Sequence, residues 1–72
     1  MRIESERNRD FYIKQIDETI YVASVNKRIG DFAVYKEKTD DWRHCATWGN
    51  KISFDEARVL FPDLFHKYRW RN

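Results

Sequence analysis

From Phe11 onward the chain runs in short stretches in which apolar and polar residues alternate, broken by clusters of Asp, Asn, Gly and Thr. A period of two marks strands with one buried face, and closely spaced turn residues make such strands antiparallel neighbours. Residues 11–16 and 20–25 flank Asp17-Glu18-Thr19, which predicts a hairpin. Asn26, Gly30 and Asp31 supply turn chemistry before a third run, residues 32–38. After the break Thr39-Asp40-Asp41, residues 42–48 have strand-like composition with tryptophan at both ends, and Gly49-Asn50 closes them.

Phe11, Ile13, Ile20, Val22, Phe32 and Val34 form the apolar set of these runs, and Tyr12, Tyr21 and Tyr35 fall one step out of phase with it. Successive side chains on a strand point to opposite faces, so the three tyrosines are expected with Lys14 on the face away from the core. If Trp42, His44, Ala46 and Trp48 point inward, Arg43, Cys45 and Thr47 join the tyrosine side.

Ser53 followed three residues later by Glu56 is a capping box, and it starts a helix at Phe54. Phe54, Ala57, Leu60, Phe61, Leu64, Phe65 and Tyr68 then recur at three- and four-residue steps, the stripe of a helix laid on a sheet. Pro62 interrupts that stripe: it has no donor for the carbonyl of Arg58, and its ring collides there. The helix is therefore expected to end near Leu60, with Pro62 opening a second turn that keeps Leu64 and Phe65 on the core. The fold class expected is α+β, a small four-stranded antiparallel sheet with a C-terminal helix packed on one face. The order of four strands and then a helix is similar to that of some small single-strand-binding domains, an analogy of element order alone.

Residues 1–10 hold six charged side chains and are expected to be a charged tail, leaving residues 11–72 as one domain. A chain of 72 residues buries only about 60% of its unfolded surface, so an aromatic content of 17% matters to its stability, and dimerisation would add to it. The first ten residues contain no apolar stretch of a secretory signal, and no run approaches the ~20 apolar residues that span a bilayer. One cysteine, Cys45, fits a reducing compartment, and the expected location is cytoplasmic.

Catalytic and metal chemistry find little support. Cys45 and His44 are sequence neighbours, which a strand would send to opposite faces, and no Gly-rich turn offers an oxyanion hole. One Cys, two His and scattered carboxylates lack the spacing of a metal site. Asp55 and Glu56 belong to a helix start, and Gly30 and Gly49 open no phosphate loop. No enzyme, metal, cofactor or small-molecule substrate is expected.

What remains is an aromatic and basic surface made of Tyr12, Lys14, Tyr21, Tyr35 and Arg43, with the tail residues Lys67, Arg69, Trp70 and Arg71. Tyr, Trp and Arg are the types most enriched at protein hot spots. The expected function is a small protein-binding module, an inhibitor or adaptor of the kind phage and mobile-element genes encode, which occupies a larger protein or pairs with itself. The alternative is a single-stranded nucleic-acid binder, with bases stacked on the tyrosines and phosphates held by the basic tail. Fourteen basic against twelve acidic residues give a net charge of +2, a weak electrostatic footprint for that alternative.

Overall fold

The computed structural model describes all 72 residues and is α+β. Strands β1 (Arg2–Glu6), β2 (Arg9–Ile16), β3 (Thr19–Asn26) and β4 (Asp31–Glu37) form an antiparallel meander in chain order. Two short strands complete a six-stranded mixed sheet on the outer edge of β4: β5 (Asn50–Lys51) runs antiparallel to it and β6 (Arg69–Trp70) parallel. Helices α1 (Trp42–Trp48) and α2 (Phe54–Leu60) and a 3-10 turn (Pro62–His66) supply the other layers.

Two even-length connections decide which residues share a face. Asp17-Glu18 links β2 to β3 and residues 27–30 link β3 to β4, so Val22 stands opposite both Ile13 and Tyr35, while Ala23 stands opposite both Tyr12 and Val34. Across an even connection an odd-numbered residue meets an even-numbered one, so residues of like parity on adjacent strands lie on opposite faces. One face therefore carries Phe11, Ile13, Ile20, Val22 and Tyr35; the other carries Tyr12, Tyr21, Ala23, Val25, Phe32 and Val34. The expected single row of three tyrosines is thereby corrected: Tyr12 and Tyr21 share one face and Tyr35 lies on the other.

Neither face is left bare. On the first, Cys45, Trp42 and Ala46 of α1 pack on Phe11, Ile13, Ile20 and Val22. On the second, Ala57, Phe61 and Leu64 pack on Ala23, Val25, Phe32 and Val34, with Tyr12 and Tyr21 against the same cluster. Burial on both sides makes residues 22–25 and 32–34 continuous buried runs rather than alternating ones.

Residues 42–48 are helical, not the fourth strand that their composition suggests. The Asp41 carboxylate accepts from the backbone N–H of Arg43 and His44 at 3.1 and 3.2 Å, an N-cap of the ordinary kind. Trp42, Cys45, Ala46 and Gly49 then recur at i, i+3, i+4 and i+7 on one side. Trp42 turns inward against Phe11, whereas Trp48 is 74% exposed. Cys45 is buried while Arg43 and Thr47 are exposed, so these three do not share a side.

The N-terminal residues also depart from expectation. Arg2–Glu6 pairs along its whole length with β2, from Arg2 opposite Ile13 to Glu6 opposite Arg9. Its order comes from the backbone ladder, since four of its five residues are exposed, and composition alone does not reveal that source of order. The C-terminal helix breaks where the proline requires. α2 ends at Leu60 and Pro62 opens the 3-10 turn. Ser53 caps α2 by accepting from the N–H of Glu56 at 3.1 Å, while the Glu56 carboxylate turns to Lys36 at 3.5 Å.

Candidate functional site

Along the first face, beyond Phe11 and Val22, the register brings Arg9, Ser24, Ala33 and Asp31 together. Ser24 is the one polar residue among the buried set, and two guanidinium groups converge on it. Arg9 Nη1 donates to Ser24 Oγ at 3.0 Å, and Arg71 Nη2 donates to the Ser24 carbonyl at 3.3 Å and to Asp31 Oδ1 at 3.1 Å. Arg71 is placed by the C-terminal segment, whose backbone N–H of Arg71 donates to the carbonyl of Phe32 at 2.7 Å just past β6.

A third guanidinium arrives from α1. Arg43 donates to Glu6 Oε2 of β1 at 2.9 Å and lies 4.6 Å from the Trp42 ring centroid, and Trp42 in turn meets Phe11 at 5.0 Å. These groups, with Tyr35 and Thr47, line an open cleft of about 320 Å³. Its charge is unbalanced. Arg43 is paired with Glu6 and Arg71 with Asp31, whereas Arg9 has the neutral Ser24 hydroxyl and no ion pair. The Arg43–Glu6 pair is solvent-exposed and holds Arg43 only weakly.

The nine residues singled out from sequence fall into separate places. Tyr35, Arg43 and Arg71 meet in this cleft. Tyr12, Lys14 and Lys67 line a cavity of about 300 Å³ on the opposite face, beside Leu60 and Pro62. There the Lys14 ammonium donates to the Leu60 carbonyl and stands 5.1 Å from the Phe61 ring centroid. The Tyr12 hydroxyl has its pKa raised by burial first, then by Tyr68 and Asp10 nearby. Tyr21 packs on the core of that face. Arg69 reaches the Ile29 carbonyl at 3.4 Å, and Trp70 stacks on Phe65 at 5.8 Å. The basic tail is thus an edge strand with its ring on one face and Arg71 on the other.

Arg9 and Trp42 were not among the expected site residues. Arg9 is in phase with Phe11 and Ile13, a signal that counts only once residue 9 is placed on a strand; Trp42 follows a helix cap. The thiol of Cys45 contributes nothing to the cleft. It is fully buried, its pKa is pushed up to about 11 by burial and then by Glu37 against an opposing backbone contact from Val22, and it lies 3.7 Å from the Ile20 carbonyl. Its neighbour His44 stands outside on α1, with Nδ1 2.8 Å from Glu37 Oε1.

No family model matches this chain, and neither a curated protein nor a solved structure does. No helix is long and apolar enough to cross a membrane, and no three His, Cys, Asp or Glu side chains cluster as a metal ion requires.

Proposed function

We propose that the protein is a small non-enzymatic binding module that acts by occupying a larger protein, and that the cleft of Arg9, Arg43 and Arg71 with Trp42 and Tyr35 is its contact surface. One observation carries this reading: three arginines from β2, α1 and the C-terminal segment meet aromatic rings in one open cleft. Arg, Trp and Tyr are the types that supply most binding energy at protein interfaces. The presence of Glu6 and Asp31 beside the arginines favours a protein surface, itself of mixed sign, over a uniformly anionic polymer. The spare positive charge at Arg9 calls for a carboxylate on the partner surface. An inhibitor or adaptor in a reducing cytoplasm, of the type phage and mobile elements encode, fits a chain of this size with one buried thiol.

Affinity capture from the source organism with the full chain tests the proposal. One dominant protein partner is expected, lost in the Arg9→Glu/Arg71→Glu double variant and retained in Tyr21→Ser, whose side chain lies on the opposite face. Retention in the arginine variant, with loss in the Tyr21 variant, would move the interface to the second face.

A second reading, single-stranded nucleic acid, is favoured by the same arginines standing beside Trp42 and Tyr35, since bases stack on rings while cations neutralise phosphates. It requires that an oligonucleotide quench tryptophan fluorescence at low salt and that the affinity fall steeply as salt rises. An unchanged signal with both single-stranded DNA and RNA removes it.

A further inference from the structure

The fold treats the two edges of its sheet differently. The outer edge of β4 is covered twice, by β5 at Tyr35 and Lys36 and by β6 at Asp31 and Phe32. β1 pairs with β2 alone, and its other edge has no neighbour. Such an edge carries unpaired backbone donors and acceptors and is a ready template for another strand. Side chains on β1 alternate, so Arg2 and Glu4 lie on one face and Ile3 and Ser5 on the other. At the open edge Ile3 is 53% exposed and the adjoining Met1 76%, an apolar pair that the monomer leaves more than half in solvent.

We infer that β1 pairs antiparallel with β1 of a second copy, about a two-fold axis through Ile3. In that register Ile3 meets its own copy, Arg2 stands opposite Glu4 of the partner twice over, and Met1 stands opposite Ser5. The charges select the register. Moving the axis to Glu4 places Glu4 against Glu4, moving it to Ser5 places Glu4 against Glu6, and parallel in-register pairing places Arg2 against Arg2. Like charges directly opposite one another are unfavourable, and opposite charges favourable, on a sheet face. Only the axis through Ile3 puts the isoleucines together with two opposite-charge pairs and no like pair. A two-fold axis perpendicular to the sheet leaves the same face of both copies on the same side, so the two arginine clefts point one way. The inference does not rest on the cleft's function, because Arg2 and Glu4 lie outside it.

Sedimentation of the full chain over a concentration series provides the test. Five residues per strand make a small interface, so a reversible dimer with a dissociation constant between about 10 µM and about 1 mM is expected. Purely monomeric behaviour at about 1 mM overturns the inference. Arg2→Glu and Glu4→Arg are each expected to weaken self-association about tenfold or more, since each turns both cross-strand pairs into like charges. Mixing the two variants restores opposite charges at both pairs, so the mixture is expected to dimerise where neither variant does alone, and Arg2→Glu/Glu4→Arg in one chain is expected to dimerise as the original does. Circular dichroism of each variant checks that the fold is kept, as both side chains are on the surface. A dimer insensitive to either single change, or one that the mixture does not restore, overturns this edge and register.

Discussion

Single side chains in this protein are decided by close contacts that residue type alone does not announce. Gly49 and Gly30 show two separate reasons for glycine. A Cβ at Gly49 would lie 2.5 Å from the Cys45 carbonyl oxygen and 3.1 Å from both Cys45 Sγ and the Lys36 carbonyl oxygen, while Gly30 has open space around it but φ of +84°. Gly49→Ala is therefore expected to cost about 1–3 kcal/mol through displaced backbone, and Gly30→Ala about 1 kcal/mol through conformation alone. Urea titration checks the order, with Gly49→Ala having the lower midpoint. Cys45 yields a pH test. Burial raises its pKa from 9.0 to about 11, so the folded state holds the thiol proton more tightly than the unfolded state does. That contribution is fully present below about pH 9 and is lost as pH rises toward 11, an effect of order 2 kcal/mol. The measurement is the difference between the original chain and Cys45→Ala. The gap between them should narrow as pH rises from 8 to 11.

At the scale of elements, what was legible in the sequence follows from how local each signal is. The hairpin at Asp17-Glu18, the strands on either side of it, the Ser53 cap and the break at Pro62 are all written within a few residues, and all are present. Trp42–Trp48 reads as a strand because it is rich in residues that favour strands, while its helical evidence is one cap and one stripe in seven residues. β1 reads as a tail because its stability comes from a ladder with β2 rather than from burial. The tyrosine row failed for a non-local reason: the face of a strand depends on the parity of the loops before it, and residues 27–30 place Phe32 opposite Val25, not in phase with Val22. The cleft could not be assembled from sequence for the same reason, since Arg9, Arg43 and Arg71 come from three elements. One element-scale consequence can be measured. Asp41→Ala removes the acceptor for two N–H groups of α1 and is expected to cost about 1 kcal/mol of stability. Because α1 carries Arg43 and Trp42, the same change should weaken partner capture, whereas Ser53→Ala, a cap loss of similar size on α2, should leave capture intact.

Over the whole molecule the C-terminal segment joins the two faces. Trp70 lies on the second face, edge-on to Phe32 at 5.4 Å and stacked on Phe65 at 5.8 Å, and its neighbour Arg71 lies on the first face against Asp31 and Ser24. Trp70 closes β6 and Arg71 follows it, one packed in the aromatic cluster and the other set in the arginine cleft, so their substitutions should separate stability from the proposed binding. Trp70→Ala removes a half-buried indole from a cluster that also contains Phe54, and about 2–3 kcal/mol of stability should go with it. Arg71→Ala keeps the β6 backbone pairing to β4 and removes one partly exposed ion pair, so a loss of about 1 kcal/mol is expected. For affinity toward the captured partner the order should reverse: Arg71→Ala should weaken binding about tenfold or more, and Trp70→Ala, measured at a temperature where it is still fully folded, by less. Denaturation midpoints and titration calorimetry on the two variants provide both scales. If Trp70→Ala proved the weaker binder while folded, the contact surface would lie on the aromatic cluster of the second face rather than in the arginine cleft.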